Sequence, residues 1–179
     1  MKKIKVVFIV LSFVLFGLPA LLSFGIRYLP ADNQPPLGLT QKLYEDKVMK
    51  DKLTLSYNNF TGIGLSFKNS NLINKKEIVL EVSKDNGEMI RSATLNGRIV
   101  PDGGFVRFMF EPITDSKGKA YIFTLSSPSS REEEALEVFL SKGSESIASV
   151  AYYKPPSAAS LIGDIYSNWM GRFLKDKAF

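Results

Sequence analysis

The residues best suited to chemistry in this sequence are aromatic rings that fall out of phase with the apolar alternation around them, and the chemistry they offer is binding. Phe105, Phe139 and Tyr152 sit between the main apolar positions of their segments, while Tyr57 and Phe60 flank an Asn58-Asn59 turn. Rings left on a surface can stack on the apolar faces of sugars, with polar side chains meeting the hydroxyls. The alternative is that the same rings fill the core or edges of a two-sheet fold, since single exposed aromatics are ordinary.

Covalent chemistry has little to work with. The sequence has no histidine and no cysteine. That removes the commonest general base, the commonest metal ligand, thiol nucleophiles and disulfides. Eighteen carboxylates remain, but none lies in a recognisable glycosidase, phosphate-loop, dinucleotide or serine-nucleophile motif. Asp115 with Ser116 offers two oxygens where calcium takes six to eight, and a side-chain turn explains the pair better. Glu132-Glu133-Glu134 reads as a solvated loop. Asn59-Phe60-Thr61 matches a glycosylation triplet of a kind that also arises by chance. The expectation is a non-enzyme with no cofactor and no metal.

The elements that would position these rings start with a membrane segment. Val6 to Ile26 is 21 residues without a charge, long enough as a helix to cross a hydrocarbon core about 30 Å thick. Lys2, Lys3 and Lys5 precede it and Arg27 follows, so the positive-inside rule puts the N-terminus in the cytoplasm and the remainder outside. A cleaved signal peptide is the rival, with a shorter apolar run and a small-x-small site that Ala20-Leu21-Leu22 lacks. These four cations account for most of the net charge of +5, leaving 19 basic and 18 acidic residues from Tyr28 onward. No nucleic-acid partner is expected from so balanced a domain.

Residues 30–52 read as a linker and lead-in, with Pro35-Pro36 extended and Thr40 to Lys52 undecided between a short helix and a first strand. From Leu53 the period becomes two. Leu53, Leu55 and Tyr57; Ile63, Leu65 and Phe67; Ile78, Leu80 and Val82; Met89 to Leu95; Val106, Phe108 and Phe110; Tyr121, Phe123 and Leu125; Leu136, Val138 and Leu140; and Ile147 to Tyr153 make about eight strands. Turn signals at Asp85-Asn86-Gly87, Pro101 to Gly104, Asp115 to Gly118 and Lys142-Gly143 separate them, and the loop Asn69 to Asn74 is polar. This spacing predicts an all-β, antiparallel sandwich of jelly-roll type over residues 53–154. Pro155-Pro156 ends it. Residues 155–179 then read as an amphipathic helix whose apolar face carries Ile162, Ile165, Tyr166, Trp169 and Phe173, for contact with a membrane or a partner.

The stretch Phe105 to Ser130 resembles the β-sandwich domains found beside or fused to bacterial membrane glycosyltransferases and polysaccharide-related membrane proteins. The matching residues are Pro112, Ile113, Asp115, Ser116, Gly118, Lys119 and Tyr121, followed by Leu125 to Pro128, with Asn58 to Asn69 and Leu80 to Ser92 fitting the same layout. The resemblance covers Leu53 to Tyr153 and implies a carbohydrate-binding-like jelly roll. The multi-spanning region that follows in many such proteins has no counterpart here, so no transferase activity is carried over. Together these readings give a single-pass membrane protein, residues 1–29 its anchor, with an extracytoplasmic binding module for cell-envelope polysaccharide. The alternative is an interaction protein that holds a membrane protein through its C-terminal helix or sheet edges.

Overall fold

In a computed structural model, which describes residues 2–17 and 28–175, the chain falls into two units: residues 30–153, and residues 1–29 with 154–179. The first unit is built from antiparallel strands, ten in the chain order β1 (Leu29–Pro30), β2 (Leu37–Leu43), β3 (Met49–Thr54), β4 (Phe60–Lys68), β5 (Glu77–Lys84), β6 (Met89–Asn96), β7 (Phe105–Ile113), β8 (Ala120–Ser126), β9 (Leu136–Ser141) and β10 (Ser149–Tyr153). Six form one sheet in the order β1-β10-β4-β9-β2, with β7 also paired to β4; four form the other, β3-β8-β5-β6. Two of the ten, β2 and β3, fall mostly in Thr40 to Lys52, the part left open between a short helix and a first strand, and take the strand alternative, with β2 starting at Leu37.

The alternation read from the sequence becomes the sandwich core. Ile63, Leu65 and Phe67 of β4, Phe108 of β7, and Leu136 and Val138 of β9 face inward from the six-stranded sheet. Ile78, Leu80 and Val82 of β5 with Tyr121, Phe123 and Leu125 of β8 face them from the other. Burying each large side chain stabilises the fold by roughly 1.5–3 kcal/mol, and Phe67 meets Phe108 with ring centroids 6.2 Å apart. The turns close as their residue types dictate. Gly87 and Gly118 take φ of +84° and +75°, a region only glycine enters freely.

Phe60 departs from its expected place. Strict alternation from Ile63 would send it outward. In its pairings with β10 and with β7, β4 shifts register between Phe60 and Gly62, and this irregularity turns the ring inward. It packs edge-on against Phe110 at 5.1 Å and is 1% exposed, so it is a core residue and not a ligand contact.

The polar loop Asn69 to Asn74 is also more than surface. Asn69 and Asn74 are fully buried. The Asn69 Nδ2 donates to the carbonyls of Asn74 (3.4 Å), Gly97 (3.2 Å) and Val100 (3.1 Å), and its Oδ1 accepts from the Asn74 N–H at 3.0 Å. Asn74 in turn donates to the Glu134 carbonyl at 2.9 Å. Two amides thus tie together the loops after β4, β6 and β8, satisfying backbone groups that water cannot reach.

The second unit holds α1 (Lys2–Ser12), a π-helical turn at Phe13–Gly17, and α2 (Ala158–Lys175). Ser157 caps α2, its Oγ accepting the Ser160 N–H at 3.1 Å. Among the described residues no helix is long and apolar enough to cross a membrane. Of the expected membrane segment, Leu18 to Ile26 lies outside the described residues, as do residues 176–179 of the expected C-terminal helix and the side chains of Trp169 and Phe173.

Replacing Asn69 with Ala is expected to lower unfolding stability by about 3 kcal/mol, because buried carbonyls and an N–H lose their partner together. Asn69→Asp should cost at least as much, since it turns an acceptor toward three carbonyls. Urea denaturation of the full chain reads both, and an unmoved midpoint would refute this account of the loops.

Candidate functional site

The outer face of the six-stranded sheet collects three of the aromatic rings named from the sequence. Its centre is β4, which is buried on both faces. While Ile63, Leu65 and Phe67 point into the core, Gly62, Gly64 and Ser66 point outward. On one side β7 sets Met109 opposite Gly62, Arg107 opposite Gly64 and Phe105 opposite Ser66. On the other, β10 sets Tyr152 opposite Gly62 and Val150 opposite Gly64. Further along, β9 sets Glu137 opposite Lys68, and Phe139 follows on the same face.

The two glycines decide how these side chains lie. A Cβ on Gly64 would overlap the Phe105 ring and come within 2.9 Å of the Tyr152 ring, and a Cβ on Gly62 would come within 2.6 Å of the Met109 sulfur. Side chains from both flanking strands therefore lie down across the backbone of β4, a use of glycine within a strand that serves close approach. Phe105 remains 37% exposed, Phe139 is half-buried, and Tyr152 shows 9% of its surface. Gln34 closes one margin, donating from Nε2 to the Ser66 hydroxyl at 2.7 Å.

The electrostatics of the face centre on Arg107. Its guanidinium carbon stands 5.6 Å from the Tyr152 ring centroid, within range of a cation–π contact. Burial pushes the Tyr152 phenol above its ordinary value, and Arg107 acts the other way by favouring the phenolate. Glu137 is held below the usual carboxylate range, chiefly by the hydrogen bond from the Thr40 hydroxyl and then by Lys68, whose Nζ lies 3.2 Å away. Lys42 pairs with Glu132 at 3.4 Å.

The remaining sequence candidates are placed elsewhere. Tyr57 leaves the β3–β4 loop to stack on Tyr153, ring centroids 4.2 Å apart and planes 4° from parallel, beside a small hollow of about 160 Å³. In α2, Ile162, Ile165 and Tyr166 are half-buried. Ser116 is a latch: fully buried, its Oγ accepts the Phe60 N–H at 3.1 Å and donates to the Tyr57 carbonyl at 3.0 Å. Asp115 pairs with Lys119 at 2.5 Å on the surface, and Glu132 to Glu134 form a single turn with Glu132 and Glu133 exposed and Glu134 half-buried. Among the described residues no group of three His, Cys, Asp or Glu side chains could hold a metal ion. A shallow open depression by Lys84, Asp85 and Lys119 has its charges satisfied, by Glu88 at 2.8 Å, Lys52 at 3.0 Å and Asp115.

Arg107, Gly62, Gly64 and the Gln34–Ser66 contact escape a reading of the aromatics alone. The signal that points to two of them is Gly-x-Gly inside an otherwise apolar strand, which marks close approach by another group.

No family model and no curated protein sequence matches the chain. Among solved structures it is similar to the carbohydrate-binding module CBM36 in complex with calcium and xylotriose, at 14% identity and a TM-score of 0.35, covering 71% of this chain and 99% of that one. It is also similar to a GH26-CBM35 β-(1,4)-mannanase of Podospora anserina, at 8% identity and a TM-score of 0.33, covering 73% of this chain and 28% of that one. A third likeness is to a chain of Clostridium perfringens ZmpB that includes CBM51-2 in complex with GlcNAc, at 9% identity and a TM-score of 0.29, covering 72% and 28%. Scores this low carry no argument about function, nor any association with a membrane glycosyltransferase.

An ultraviolet titration of the tyrosines is expected to show a phenol ionising above the ordinary tyrosine value that is absent from Tyr152→Phe. Arg107→Ala should move it higher still, because the phenolate loses its neighbouring cation. Since the folded value exceeds the unfolded one, the folded state holds the proton longer, and the contribution of Tyr152 to stability falls as the pH rises beyond about 10. A Tyr152 value lowered by Arg107→Ala would contradict the geometry.

Proposed function

We propose that the sandwich is a non-catalytic carbohydrate-binding module, held at a membrane by the N-terminal segment and serving cell-envelope polysaccharide. The observation that carries the reading is the arrangement above Gly64, where Phe105, Tyr152 and Arg107 converge on a sheet face beside the Gln34 amide and the Ser66 hydroxyl. An aromatic ring, a stacked cation and neutral hydrogen-bonding groups suit a sugar, which presents apolar C–H faces and hydroxyl edges.

Membrane attachment has its own support. In the described part of the N-terminal segment, Val7, Phe8, Ile9, Val10, Leu11, Phe13, Val14, Leu15 and Phe16 are each 41–72% exposed. A helix apolar on all its faces is stable when lipid or protein covers it. With Lys2, Lys3 and Lys5 ahead of this segment, the positive-inside rule favours an extracytoplasmic sandwich.

Two results are expected. In a panel of immobilised envelope polysaccharides, the full chain in mild detergent binds at least one saturably. Phe105→Ala weakens that binding by about tenfold, the loss of roughly 1.4 kcal/mol, and Gly64→Ala weakens it with every ring still present. Tyr57→Ala, which lies off the face, does not change it. A folded chain that binds none of the panel overturns the reading. Separately, the chain should stay with membranes through alkaline extraction, and a Leu11→Arg, Leu15→Arg variant should be released. Release of the unaltered chain would argue against an anchor.

A further inference from the structure

Resting on the reading of this face as a glycan surface, we infer that its ligand is an anionic polysaccharide, one carrying sugar carboxylates, and that Arg107 is the side chain that binds them. Arg107 is exposed on β7 opposite Gly64, over whose backbone the Phe105 and Tyr152 rings lie. Its guanidinium forms no ion pair among the described residues, a condition it shares with Lys50, Lys75, Arg98 and Lys117; what sets it apart from them is its place against the Tyr152 ring on this face. Arg91 is spent on structure, donating to the carbonyls of Ile90, Glu111 and Pro112. Arg107 is thus a cation held in place by the Tyr152 ring with its hydrogen-bond donors unspent.

The residue type narrows the ligand. A guanidinium offers a planar fork of N–H donors that matches a carboxylate in bidentate fashion, and it is less strongly hydrated than an ammonium. Stacking on Tyr152 restricts the side chain before ligand arrives, which reduces the ordering cost of binding. The nearby carboxylates do not compete. Glu137 is occupied by Thr40 and Lys68, and Glu111 stands four residues along β7, roughly 13 Å away by strand rise. Phe105, two residues before Arg107 and on the same face, supplies an apolar ring for the sugar that bears the carboxylate.

The test compares polygalacturonate, its fully methyl-esterified form and poly-L-glutamate as ligands for the full chain in mild detergent. The chain should bind the acid at least about tenfold more tightly than the ester, as one charge-assisted contact would give. The preference should shrink at high salt. Arg107→Gln should bring the acid-to-ester ratio close to one, Arg107→Lys should keep part of it, and Phe105→Ala should weaken both polymers while keeping the ratio. Equal binding of acid and ester by the unaltered chain, or a ratio that survives Arg107→Gln, overturns the inference and leaves the glycan surface standing. Binding of poly-L-glutamate as tight as that of polygalacturonate also overturns it, by showing a response to charge alone. Failure of the folded chain to bind either sugar polymer, with neutral polysaccharides also unbound, overturns the glycan surface and this inference together.

Discussion

Strand β4 has to be covered on both faces, and the rest of the sandwich follows from that. Its odd positions, Ile63, Leu65 and Phe67, are the centre of the core between the sheets. Its positions Gly62, Gly64 and Ser66 carry little or no side chain, and they are buried by residues from neighbouring strands. A strand with bulky residues at Gly62 and Gly64 would push Met109, Phe105 and Tyr152 away from the sheet. The glycines are unfavourable for strand formation in isolation, so their cost must be offset by the pairing of β4 with β7, β10 and β9. The same constraint creates the candidate site, because the side chains that cover β4 are those that would meet a ligand.

The irregularity near Phe60 links this strand to the end of the sandwich. The register shift turns Phe60 inward, where Phe110 and Tyr121 receive it. Thr61, left beside the shift, donates its hydroxyl to the Phe110 carbonyl at 2.7 Å. Ser116 then joins the turn after β7 to the loop before β4. A motif that reads as a surface turn or a cation ligand is thereby explained as an internal hydrogen-bonding latch. At the other end of β4, Asn69 and Asn74 do the equivalent work with amides. Both ends of the central strand are therefore fixed by buried polar groups with their partners satisfied, the condition under which such groups support one arrangement over others.

The charge pattern of the domain has a similar logic. Six cations, Lys42, Lys52, Lys68, Lys84, Lys119 and Arg131, are matched to carboxylates among the described residues, and exposed pairs of this kind contribute little stability each. Arg107 differs from these six in resting on a ring. Its place at the centre of the face follows from the pairing of β7 with β4 and from Gly64 beneath the crossing rings.

The amino-acid sequence determined the class of the fold, the phase of most strands and the places where the chain turns, because alternation and turn chemistry are local. Residues such as Gly87 and Gly118 show their backbone requirement whatever packs around them. It also determined that histidine and thiol chemistry are absent, and that a helix begins just after Pro155-Pro156, where Ser157 caps it. The tertiary structure decided what alternation cannot express. A period of two tells which residues share a face of one strand, but not which strands lie side by side. Phe105 and Tyr152 are 47 positions apart and meet only because β7 and β10 flank the same strand. Phe60 left its expected face because a register shift is a property of paired strands, and Thr40 to Lys52, which local pattern left open between helix and strand, became β2 and β3 by pairing with β9 and β8. Asn69 and Asn74 look like surface residues by type; their burial depends on three loops converging from distant parts of the chain.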